Sequence, residues 1–119
     1  MYLKSYKELI VWQKAIELVK EVYRFTEGFP KNEAYGLSIQ MRRAAVSVPS
    51  NIAEGYLRKN LKEYLQFLRI AYGSSAELET QLIIAKDLYQ KVNYQKAESL
   101  LEEVQKMLNV MIKKLENYN

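Results

Sequence analysis

Residues 44–55 read Ala-Ala-Val-Ser-Val-Pro-Ser-Asn-Ile-Ala-Glu-Gly, a run of small side chains with a proline at its centre. Ala44, Val48, Ile52 and Tyr56 recur every four positions on both sides of Pro49, so helical phase is kept across it. Proline inside a helix removes a backbone donor and crowds the carbonyl four residues back, at a cost of ~3 kcal/mol or more. Asn51-Ile52-Ala53-Glu54 has capping-box spacing, which would suit a break and a new helix start. The retained phase argues instead for a continuous but bent helix, with the Ser47 hydroxyl or a water meeting the carbonyl of Ala45. On this reading Ser47, Ser50, Asn51 and Glu54 satisfy backbone groups near the proline and lie in a helix–helix or subunit contact. Ala44, Ala45 and Gly55 let that contact be close, and Glu54 is expected to pair with Arg42 or Arg43.

Working outward, this helix spans about 32 or 33 to 57, with Leu37, Met41, Ala44, Val48 and Ile52 on one face. Before it, Ser5-Tyr6-Lys7-Glu8 has capping-box spacing and predicts a first helix from Ser5 to about residue 26, stopped by Gly28 and Pro30. That helix carries two adjacent apolar stripes: Leu9, Trp12, Ile16, Val19, Tyr23, and Val11, Ala15, Leu18, Val22, Phe25. Together they are wider than one helix–helix seam needs, so one stripe suits the core and the other a neighbouring subunit.

After the proline helix, Asn60-Leu61-Lys62-Glu63 predicts a third helix reaching about residue 90, with Leu61, Tyr64, Leu68, Tyr72, Ser75, Leu78, Leu82 and Tyr89 as its stripe. Gly73-Ser74-Ser75-Ala76 within it suggests a close helix crossing, which would offset the ~1 kcal/mol that glycine costs in a helix. A fourth helix follows Asn93, with Ala97, Leu100, Val104, Leu108, Met111 and Leu115 as its seam. No segment alternates with period two. Short connections make neighbouring helices antiparallel, so the expected architecture is all-α: an up-down-up-down four-helix bundle, one domain over residues 1–119.

Composition narrows the chemistry. The chain has no cysteine, which removes disulfides, zinc–thiolate sites and thiol nucleophiles, and no histidine, which removes the commonest general base and metal ligand. A serine nucleophile at Ser47 or Ser50 would lack a base, and no Gly-x-Ser-x-Gly elbow is present. Glu77 and Glu79 invite a metal reading, but without histidine a carboxylate-only site is disfavoured. The expectation is a protein that is not an enzyme and uses no cofactor. No apolar run approaches the ~20 residues that span a bilayer, and the N-terminal segment lacks a signal-peptide core. A cytoplasmic location follows as an expectation, with no membrane partner and no small-molecule substrate.

Charge is unevenly placed. The segment 42–69 holds Arg42, Arg43, Arg58, Lys59, Lys62 and Arg69 against Glu54 and Glu63, and so carries an excess of +4, the net charge of the whole chain. These six cations are the candidate phosphate contacts for RNA or another nucleic acid. The competing reading is a solvated or internally paired surface on a protein-binding scaffold. The ten tyrosines suit base stacking or packing, and bundle cores use them readily for packing.

Three segments carry a family resemblance. Leu9-Ile10-Val11-Trp12-Gln13-Lys14-Ala15 resembles the opening of the four-helix-bundle family encoded by intervening sequences in bacterial large-subunit ribosomal RNA genes. Gln40-Met41-Arg42-Arg43-Ala44-Ala45-Val46-Ser47-Val48-Pro49-Ser50-Asn51-Ile52-Ala53-Glu54-Gly55 is similar to its most diagnostic motif. Glu63-Tyr64-Leu65-Gln66-Phe67-Leu68 and Ala71-Tyr72-Gly73-Ser74-Ser75-Ala76-Glu77-Leu78-Glu79-Thr80 resemble its third helix. The resemblance implies a homo-oligomer, with a pentameric ring as precedent, and no established activity. A structurally similar family, the accessory proteins of diversity-generating retroelements, forms basic pentameric rings that engage nucleic acid, a fold-level analogy.

Overall fold

In the computed structural model, which describes residues 4–33 and 36–118, four α-helices follow one another: α1 Ile10–Thr26, α2 Leu37–Tyr56, α3 Leu61–Leu88 and α4 Gln95–Glu116. Each packs on its neighbours in sequence and α1 closes against α4, giving an antiparallel four-helix bundle of 46 × 23 × 23 Å. Residues 34 and 35, which the predicted second helix included, lie outside the described residues, as do the first three of the N-terminal segment.

The core follows one stripe from each helix. In α1 it is Val11, Ala15, Leu18, Val22 and Phe25 that are buried; Leu9, Trp12, Ile16 and Val19 stay half-exposed and Tyr23 is exposed. α2 contributes Met41, Ala44, Ala45, Val48 and Ile52; α4 contributes Ala97, Leu100, Leu101, Val104 and Leu108. In α3 the buried line is Leu65, Leu68, Ala71, Ser75, Leu78, Leu82 and Ala85, while Tyr72, assigned to the stripe by its spacing, is exposed. Tyr72 is one position beyond Ala71, and a rotation of ~100° per residue takes it off the buried line.

Helix starts differ from expectation where a side chain caps something shorter. Ser5 accepts from the Lys7 N–H and caps a 3₁₀ turn, Tyr6–Glu8; Leu9 is then extended, so α1 begins at Ile10 rather than at the capping-box serine. A second 3₁₀ turn, Lys31–Glu33, follows Pro30, and the Glu33 carboxylate accepts the Leu37 N–H at 3.0 Å, which delays α2 to Leu37. Asn60 behaves as expected: its side chain accepts the Glu63 N–H at 2.9 Å and starts α3. α3 stops at Leu88, two residues before the expected end.

α2 runs unbroken through Pro49. Asn51 does not cap a new helix; its Nδ2 donates backwards to the Ser47 carbonyl at 2.8 Å and to Ser47 Oγ at 2.9 Å. The Ser47 hydroxyl meets Ser74 Oγ on α3 at 2.8 Å instead of turning to Ala45. A close α2–α3 approach occurs at Gly55, where an added Cβ would lie 2.7 Å from Phe67 Cβ. Gly73 is not part of a close crossing: it is exposed, and an added Cβ there would meet nothing within 4 Å.

Candidate nucleic-acid interface and the groove beside it

The six candidate cations do not converge on one surface. Arg42 leans back onto α1: Nε donates to Thr26 Oγ1 at 2.9 Å, and the guanidinium lies 4.5 Å from the Tyr23 ring centroid. Arg43, one position on, is exposed on the outer side of α2. Fifteen residues further, roughly 22 Å along the helix at 1.5 Å per residue, Arg58 opens the turn into α3. It holds Glu54 at 3.3 Å and lies over the Phe67 ring at 4.7 Å. Glu54 therefore pairs with Arg58, one helical turn away, and not with Arg42 or Arg43. Lys59 and Lys62 beside it are exposed. Arg69 projects towards α4 and meets Glu116 at 2.6 Å.

The chain thus gathers Arg58, Lys59 and Lys62 at the α2–α3 turn and sets Arg43 apart. Arg42 is held against α1, while Arg58 and Arg69 are exposed and each pairs with a carboxylate at the surface. The neighbouring tyrosines are packing residues: Tyr56 and Tyr64 are half-buried and meet edge to face with centroids 6.2 Å apart. Burial, with Tyr56 adding to it, pushes the Tyr64 hydroxyl above its ordinary range.

The second stripe of α1 lines a groove against α2. Its walls are Trp12, Ile16 and Val19 on one side and Val46, Pro49, Ser50 and Ala53 on the other, with Tyr6 at one end. Tyr6 and Trp12 meet edge to face at 5.4 Å, which fixes the indole at that end. The buried proline ring forms part of the groove wall, so the motif at the centre of α2 serves two contacts. Its Ser47, braced by Asn51, holds α3, and its Pro49 and Ser50 shape the open side. The doubled stripe of α1 signalled this groove in the sequence; its α2 wall needed the helix rotation. A second apolar surface, Ile83, Ile84 and Leu88 near the end of α3, had no such signal because these residues fall out of phase with the core stripe.

Glu77 and Glu79 are both exposed, and Glu79 accepts from Gln105 Nε2 at 3.3 Å. Among the described residues no group of three or more acidic side chains is placed to hold a metal ion. Among them, too, no helix is long and apolar enough to cross a membrane.

Fold and surface together define an all-helical bundle with a lateral apolar groove and dispersed surface cations. The family model described as 23S rRNA-intervening sequence protein matches residues 7–110, and the chain belongs to that family. It is also similar to a crystal structure of a protein with unknown function from the S23 ribosomal protein family of Bacteroides thetaiotaomicron VPI-5482. The TM-score is 0.74 at 23% identity, with 87% of this chain and 99% of that one covered, a likeness of fold. Comparison with curated proteins gives no match.

Proposed function

We propose that this chain is a non-enzymatic cytoplasmic protein that assembles with copies of itself, as the pentameric ring the family resemblance implies, and binds RNA or another nucleic acid electrostatically. The observation that carries the self-association is the groove formed by Trp12, Ile16 and Val19 with Val46, Pro49 and Ala53. Apolar side chains left half-exposed in a continuous line are costly to keep in water, and covering them with protein is the usual solution.

The cluster of Arg58, Lys59 and Lys62, with Arg43, supports the nucleic-acid reading. Few cations per subunit bind phosphate weakly, and repetition around an oligomer converts weak contacts into avidity. The hold of Thr26 and Tyr23 on Arg42, and the carboxylate pairs of Arg58 and Arg69, favour a second reading, a protein-binding scaffold with no nucleic-acid role.

Titrating a structured RNA across a salt series separates the two. Binding that weakens linearly in log–log coordinates supports phosphate contacts; no binding at low salt leaves the scaffold. Light scattering at micromolar concentration tests self-association independently, and a monomeric mass would refute it.

A further inference from the structure

Gly73 sits in the middle of the longest helix, where glycine weakens the helix, yet among the described residues nothing fills the space it leaves. It belongs to the outer face of α3 with Ile70, Glu77, Thr80 and Ile84, all exposed. The opposite face of α3 carries the core, so this mixed face, apolar at Ile70 and Ile84 and polar at Glu77 and Thr80, is left outside it.

Its height along the bundle can be compared with that of the groove. The Ser47–Ser74 hydrogen bond puts these two residues level, and α2 and α3 are antiparallel. Counting from that pair, Ser50 is level with Ala71 and Val46 with Ser75. The groove, whose α2 wall runs from Val46 to Ala53, therefore stands at the height of Ile70 and Gly73. The charges match at the same register. Lys20 and Arg43, exposed at the Val19–Val46 end of the groove, are level with residues 75–78 of α3, where Glu77 is exposed. Glu17 shares the outer face of α1 with Lys20, and Glu54 on α2 is already held by Arg58.

The geometry points to a second copy of this chain as the occupant of the groove, presenting the outer ridge of α3 at Ile70 and Gly73, with Glu77 against Lys20 and Arg43. This rests on the self-association proposed above and names the two surfaces that meet. The two faces are different, so the contact is head to tail. Because they stand at one height it needs no shift along the bundle axis, one requirement for repeated contacts to close into a ring, the other being the rotation between copies. The missing side chain of Gly73 leaves space for the groove rim to come close.

The absence of native cysteines makes the test direct. Ser50→Cys and Gly73→Cys, both at exposed positions, are prepared singly, refolded together and oxidised, with Val46→Cys and Ala76→Cys as a second pair should one variant fold poorly. The expected result is a disulfide-linked dimer in each mixture and none from any single variant alone. Linkage in Ser50→Cys alone would mean that groove faces groove and would overturn the proposal. An assembled protein that links in neither mixture would overturn it while leaving self-association intact. A monomeric mass by light scattering would remove both.

Discussion

Gly55 of α2 and Phe67 of α3 meet with no space for one more methyl group: a Cβ on the glycine would stand 2.7 Å from the phenylalanine Cβ, and 3.1 Å from Tyr64 Cδ1. Gly73 on α3, in open space, is its opposite. The two glycines make a matched test. Gly55→Ala is expected to lose about 1–3 kcal/mol through overpacking, offset in part by better helix propensity. Gly73→Ala is expected to stabilise the isolated chain by about 0.5–1 kcal/mol, since alanine is the better helix former. Urea unfolding at low protein concentration reads both, and equal signs would contradict the packing described.

Charge reversal examines the proposed contact. Glu77→Lys is expected to weaken assembly in sedimentation experiments, and Arg43→Glu added to it to restore a good part of the loss. Independent, additive effects of the two changes would argue against their facing one another.

Glu54 gives a local comparison. A double-mutant cycle on Glu54 and Arg58 should report a coupling of about 0.3–0.5 kcal/mol, as for other exposed pairs one helical turn apart. The same cycle on Glu54 and Arg43 within the subunit should be additive. Thermal melts of the single and double alanine variants decide it.

The cations should separate by role. Lys59→Ala and Lys62→Ala are expected to leave the melting curve nearly unchanged and each to reduce the salt slope of RNA binding by roughly one. Arg42→Ala should instead cost about 1–2 kcal/mol of stability, through the lost Tyr23 and Thr26 contacts. A large effect of Arg42→Ala on the salt slope, with no effect on stability, would reverse this assignment.

Alkaline pH should destabilise the bundle. Tyr94 donates to the Ala85 and Tyr89 carbonyls, and burial, with Tyr89 adding to it, pushes its hydroxyl up to about 12. Since the fold favours the neutral phenol, its stabilisation is complete below the ordinary tyrosine value near 10 and is lost as pH rises towards about 12. On the acid side, the Tyr89 hydroxyl and then the Leu37 N–H hold the Glu33 carboxyl below its ordinary 4.5. That contribution is present above the ordinary value and fades as pH falls through the lowered one. Urea titrations from pH 9 to 12 should show the alkaline loss, and Tyr94→Phe should flatten part of it.

Much of this molecule is legible residue by residue. The phase of Ala44, Val48 and Ile52 across Pro49 foretold an unbroken α2, the Asn60 side chain foretold the start of α3, and the doubled stripe of α1 foretold an open apolar face. Each depends on spacing within a turn or two of helix, which the sequence carries by itself. The destination of the Ser47 hydroxyl, the pairing of Arg69 with Glu116, the exposure of Gly73 and the dispersal of the six cations depend instead on how each helix is rotated about its axis and set against the next. One residue turns a helical side chain by ~100°, so a small difference in that rotation moves a group from core to surface. Only the packing of all four helices selects the rotation, because it is the total burial, and not any single segment, that the fold optimises.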